Sequence, residues 1–210
     1  SGAVPYLMAP LLMLKFALTG VTVCAFLRRF VKNGHTAVFG GLLYAFSGFN
    51  LYNIFFNHFN EVVMLFPLLL IGMEELVVNR RRGLFALTVA LCAVVNYYFF
   101  FGEVLFCVLY FFIRGTLSTD FRCTLKSFGL VALESVLGLL ISAVLLLPSL
   151  LVVLSNPRTS DYLNGFNLLV YGNSQRYGLI LSSFFFPPDV PARPNFFPDS
   201  NAKWSSVSMY

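Results

Sequence analysis

The sequence predicts an all-α, polytopic transmembrane helix bundle, and three observations carry that prediction. Hydrophobic residues make up 58% of the 210 and charged residues only 11%, with a mean hydropathy of +0.79; soluble domains carry about 25% charged residues. The apolar residues fall in runs of the length needed to cross a hydrocarbon core, about 20 residues. Nine of the fourteen Lys and Arg residues sit in three short clusters between those runs, as expected of loops retained on the cytoplasmic side of a membrane. That clustering accounts for the net charge of +5 without nucleic acid as a partner. The lipid bilayer is the partner that composition implies.

The first crossing is predicted over Val4 to Leu27, closed by Arg28, Arg29 and Lys32. Two more are expected over Thr36 to Phe56 and Glu61 to Val78, followed by Arg80, Arg81 and Arg82. Between these two, Asn53, Asn57, His58, Asn60 and Glu61 form a polar turn, and no Lys or Arg occurs from residue 33 to residue 79. Such a turn suits the non-cytoplasmic face.

Gly83 to Ile113 is an apolar run of 31 residues. As one helix it would span about 46 Å, too long for a core of about 30 Å without heavy tilt. Basic clusters flank it on both sides, Arg80 to Arg82 before it and Arg114, Arg122 and Lys126 after it. Two crossings are therefore expected, as a hairpin of short helices, each about 22 Å, turning near Asn96, Tyr97, Tyr98 and Gly102; a single tilted helix is the alternative. A sixth crossing is predicted over Ser127 to Leu147, with Pro148 near its outer end, where a missing backbone donor is least harmful.

Six crossings place both ends of the chain outside. The predicted division is a transmembrane domain over 1–154 and an extracytoplasmic segment over 155–210. Within the latter, Tyr162 to Phe186 is aromatic enough for an interfacial or re-entrant element. Prolines at 187, 188, 191, 194 and 198 then exclude regular helix. The chain begins directly in apolar sequence, with no initiating Met and no charged leader, and an internal fragment of a longer membrane protein is expected.

Ionisable groups inside a membrane are costly and need a reason. Lys15 lies near the middle of the first crossing and Glu134 about two turns into the last, and they are expected to pair across the interior, either to fix helix register or to serve transport. At the outer face His58, Glu61 and Glu103 are expected to gather at one mouth, with Asn96 and Tyr97 beside them and Arg176 in the external segment as an anion ligand. Carboxylates with an imidazole suit sugar hydroxyls or a divalent cation, Mg2+ or Mn2+. Glu74 and Glu75 stand beside the basic clusters and are expected to balance them. The four cysteines show no metal-ligand spacing, and no Gly-rich phosphate loop, HExxH or GxSxG motif occurs.

Several stretches, in order, resemble the bacterial membrane protein YfhO family: LKFALTGVTVCAFLRR, YAFSGF with HFNEVVMLFPLLLIGMEEL, NYYFFFGEVLFCVLYFF, SAVLLLPSLL, and FFPPD with KWSSVSMY. The resemblance implies the architecture of GT-C glycosyltransferases that use polyprenyl-phosphate sugars, in the bacterial cytoplasmic membrane. It implies transfer of a sugar from an undecaprenyl-phosphate carrier to an envelope acceptor polymer such as teichoic or lipoteichoic acid. It places an acidic residue acting as base or metal ligand in a first external loop, expected to precede Ser1, so no catalytic base carries over, only the His58/Glu61 turn and the Asn96 to Tyr98 turn. The competing class is a transporter or flippase of envelope precursors, in which Lys15 and Glu134 would be the working pair.

Overall fold

A computed structural model describes residues 4–55, 57–121, 124–155 and Gly178. Among the described residues seven α-helices run in the order α1 (Val4–Leu27), α2 (Gly34–Ala45), α3 (Gly48–Tyr52), α4 (Asn57–Val77), α5 (Leu84–Val95), α6 (Tyr97–Leu117) and α7 (Leu125–Leu154), with a 3-10 turn at Asn53–Phe55. Among the described residues there is no strand. Two compact units divide the chain: Ser1–Phe46 with Phe56–Ser149, and Ser47–Phe55 with Leu150–Tyr210. In the second unit the Asn53 amide donates to the Phe49 carbonyl at 2.9 Å, closing the short α3, and Ser155 N–H continues the helical ladder to Leu151.

The helices confirm the all-α membrane bundle and change its inventory. Three of them, α1, α6 and α7, contain stretches long and apolar enough to cross a membrane: Tyr6–Leu27, Tyr97–Leu117 and Leu125–Val152. The six expected crossings are therefore not six equivalent spans. Helix α2 has only 12 residues, because the chain breaks at Phe46 and Ser47 instead of continuing to Phe56. The hairpin forms at Asn96 as expected, but its arms are unequal, 12 residues in α5 and 21 in α6. Helix α7 continues past Pro148 to Leu154. The apolar side chains of α1, α6 and α7 are largely outward, with Leu11, Val21, Leu105, Leu109, Leu140 and Val144 all exposed. Only a lipid environment accommodates so much of that surface.

Packing fixes the helix directions in the larger unit. Helices α1 and α2 are antiparallel and close: a Cβ on Gly41 would stand 2.7 Å from the Gly20 carbonyl oxygen. Helices α4 and α6 run parallel, with Phe59 against Phe99 at 4.9 Å and Phe66 against Phe106 at 5.0 Å between ring centroids. Between them α5 runs the other way, with Gly72 of α4 seated against Phe85 and Thr88. The core is built from Leu69, Met73 and Leu76 of α4, Phe85 of α5, Phe111 of α6 and the buried Phe121.

Two polar devices hold this arrangement. Pro67 cannot donate to the carbonyl of Val63 four residues back, and the Tyr44 hydroxyl of α2 donates to that carbonyl instead at 3.3 Å. Glu134 of α7 accepts from the N–H groups of Gly83 at 2.8 Å and Ala86 at 3.2 Å, placing a carboxylate on the free donors and positive dipole end of α5. One turn along α7, Gly138 lets the two helices touch: a Cβ there would lie 2.5 Å from the Ala86 carbonyl oxygen and 2.7 Å from Val89. Gly138→Ala is expected to destabilise the protein by about 1–3 kcal/mol through overpacking, measured by denaturant unfolding in detergent micelles. Unchanged unfolding would refute the close α5/α7 contact.

Candidate functional site

The ion pairs sort the bundle into two ends. At one end all three basic clusters converge on Glu74 and Glu75, the last acids of α4. Arg29, from the first cluster, reaches Glu75 at 2.5 Å; Arg81, from the second, reaches it at 3.5 Å; and Asn79 donates to it at 3.0 Å. Arg114, from the third, reaches Glu74 at 2.9 Å, and the Tyr110 hydroxyl donates to the same carboxylate at 2.6 Å. The Arg114 guanidinium also faces the rings of Phe30 and Phe121, at 4.9 and 5.9 Å. The two acids do balance the basic clusters, through these specific contacts. Both flanks of the hairpin thus lie at one end of the bundle, which a single tilted helix would not allow.

At the far end of α4, Lys15 of α1 meets Glu61 at 2.7 Å. The two ion pairs between α1 and α4 share one register. From Lys15 to Arg29 and from Glu61 to Glu75 the step is 14 residues, close to four helical turns, so α4 presents both acids on one face, toward Lys15 of α1 and Arg29 in the turn just after it. The pairs are therefore separated by about 21 Å along the parallel axes.

This corrects the expected Lys15–Glu134 pair. Glu134 is engaged at the start of α5, beside the basic turn, whereas Lys15 is engaged at the opposite end of α4. Their depths are not comparable, because α7 enters from the basic end and Glu134 is only the tenth residue of that helix.

Around Lys15 and Glu61 several elements terminate at one level. Phe46, closing α2, packs on Phe16 at 5.5 Å, next to Lys15. Helix α5 ends and α6 begins at Asn96, whose extended backbone breaks the run and whose side chain accepts from Tyr98 N–H at 3.2 Å and Phe99 N–H at 3.3 Å. Asn is a strong N-cap because its short side-chain carbonyl reaches those two free donors. Phe99 in turn lies on Phe59, and His58 stacks edge-on with Phe59 at 4.4 Å. Two half-length helices thus stop at a polar layer that α1 runs beyond. In it Lys15 is 20% and Glu61 37% exposed, His58 and Tyr97 are exposed, and Asn96 is half-buried.

Glu103 does not stand with His58 and Glu61 at an exposed mouth. It is 7% exposed on α6, two turns below Asn96, hydrogen-bonded to Cys92 of α5, and its Oε1 has no hydrogen-bond partner among the described residues. Asn60, 2% exposed, likewise leaves both side-chain polar atoms without partners there. Buried groups in that state are uncommon. Among the described residues no three His, Cys, Asp or Glu side chains gather to hold a metal ion, so the expected cation cluster is not assembled from His58, Glu61 and Glu103. Arg176, with Arg158, Arg193 and Lys203, lies outside the described residues.

Beneath the layer an apolar cleft runs along α6 from Phe100 to Phe111, walled by Leu69 and Met73 of α4, Val89 of α5 and Val131 of α7. Its free volume is about 60 Å3, and it is partly open to the surroundings. The sequence places Lys15 midway along the first crossing, as α1 has it, but its partner is Glu61 and not Glu134; the equal step of 14 between Lys15 and Arg29 and between Glu61 and Glu75 is the signal for that partner.

A family model described as bacterial membrane protein YfhO matches residues 4–184. No match is found among curated proteins or among solved structures.

Proposed function

The chain belongs to the bacterial membrane protein YfhO family, and from that premise we propose that it is an integral-membrane glycosyltransferase of GT-C type. The reaction moves a sugar from a polyprenyl-phosphate carrier to a cell-envelope acceptor such as teichoic or lipoteichoic acid. The membrane is the bacterial cytoplasmic membrane, with the basic end inside and the polar layer toward the outer face. The observation that carries this reading is the half-exposed Lys15–Glu61 pair, set where α2 and α5 stop.

The chemistry needs three things that this layer supplies. An acceptor hydroxyl attacks the anomeric carbon while the bond from that carbon to the phosphate oxygen breaks. The hydroxyl proton passes to a carboxylate, and Glu61 is the half-exposed carboxylate of the layer. The departing phosphate takes up negative charge, and the Lys15 ammonium is the cation positioned to stabilise it. His58, Asn96 and Tyr97 offer hydrogen bonds to sugar hydroxyls. The apolar cleft under the layer suits an isoprenoid tail. The transporter reading needs Lys15 and Glu134 to work as a pair, and each has another partner.

The test is glycan analysis of the envelope in a strain whose full-length protein carries Glu61→Gln with His58→Ala, at matched expression. Loss of the same sugar decoration as in a deletion strain is expected. Normal decoration in both strains would remove the glycosyltransferase reading.

A further inference from the structure

Among the described residues, Lys15 is the one Lys or Arg that lies away from the basic end. All the others stand in or beside the three turns that converge on Glu74 and Glu75. An anion arriving at the polar layer therefore has one described ammonium to meet, and Glu61 already holds that ammonium at 2.7 Å. The Glu61 oxygen that accepts from the ammonium at 2.7 Å is already engaged by a donor. The group suited to the phosphate and the group suited to the proton thus occupy each other.

Resting on the glycosyltransferase reading, we propose that this ion pair is a substrate-operated exchange. The phosphate of a polyprenyl-phosphate sugar displaces Glu61 from Lys15, and the freed carboxylate becomes competent to accept the acceptor's proton only when the donor is seated. Side-chain reach permits it: Lys15 is 20% exposed and Glu61 37% exposed, so neither is sealed in the core, and Glu61 can rotate off without breaking α4. The donor's phosphodiester carries one negative charge and two free oxygens, as the carboxylate does, so it takes over the ammonium's charge-assisted hydrogen bond like for like, and contacts to its isoprenoid tail and sugar tip the exchange. The exchange also suppresses water as an acceptor while no donor is bound, because the base is then occupied.

The experiment measures binding of a short isoprenyl monophosphate to the purified full-length protein in nanodiscs, against the corresponding isoprenol and inorganic phosphate. Glu61→Gln removes the internal competitor and is expected to tighten isoprenyl monophosphate binding about tenfold or more, with Glu61→Asp intermediate. Lys15→Met is expected to reduce the monophosphate to the affinity of the isoprenol, and Lys15→Arg to retain preference for it. Tail-dependent binding distinguishes a lipid phosphate from free phosphate. Equal or weaker binding by folded Glu61→Gln overturns the exchange. Wild-type protein that binds isoprenol as well as the monophosphate overturns the donor reading itself, and the exchange with it.

Discussion

Glu74→Leu is expected to destabilise the protein by about 3–5 kcal/mol, the range for removing one partner of a buried ion pair. Glu74 is 5% exposed and is the acceptor for both Arg114 at 2.9 Å and the Tyr110 hydroxyl at 2.6 Å. Its loss leaves a guanidinium only 22% exposed, held between two aromatic rings with no carboxylate. Most of the penalty is desolvation of the orphaned charge, so Glu74→Leu with Arg114→Met should recover most of the stability. Arg81→Ala should matter far less, because that side chain is 74% exposed and its contact with Glu75 is long at 3.5 Å. Denaturant unfolding in micelles reads all four proteins. A double variant no more stable than Glu74→Leu would mean that the cluster is not an energetic unit.

The contrast between Arg114 and Arg81 shows what can be read from a sequence of this kind. Length, apolar runs and clustered basic residues sufficed for the helix content, for α1 from Val4 to Leu27, and for the hairpin at Asn96. These follow from local rules: a run too long to cross once, flanked by the same charge, has to turn, and Asn is where a helix readily restarts. Depth was harder. Hydropathy places Lys15 and Glu134 both inside the membrane, but which partner each meets depends on helix direction and offset. The decisive fact is the parallel register of α1 with α4, visible only as two equal steps of 14 residues. The length of α2 was also hidden, since Phe46 and Ser47 interrupt a run whose hydropathy continues unbroken. The burial of Glu103 depends on α5 stopping halfway and bringing Cys92 beside it.

That register makes a charge exchange the most direct test of the site. Lys15→Glu alone sets two carboxylates face to face where an ion pair stood at 2.7 Å. It is expected to destabilise the protein by about 2–4 kcal/mol, below the range for a fully buried pair because Glu61 is 37% exposed. Adding Glu61→Lys restores opposite charges on the same two helix faces and should recover most of that loss. Adding Glu134→Lys instead should deepen it, since a cation would then oppose the free N–H groups of Gly83 and Ala86 at the positive end of α5. Folded fraction after heating, followed by size exclusion in detergent, separates the two double variants. Rescue by Glu134→Lys but not by Glu61→Lys would overturn the register and return Lys15 to the bundle interior. If the proposed glycosyltransferase reading holds, sugar transfer is expected to stay lost even where Glu61→Lys restores folding, because the exchanged ammonium and carboxylate then stand on the wrong helices for the proposed phosphate and acceptor hydroxyl. Stability and activity would then part at one pair of residues, as expected of a contact that braces α1 against α4 and carries the proposed chemistry.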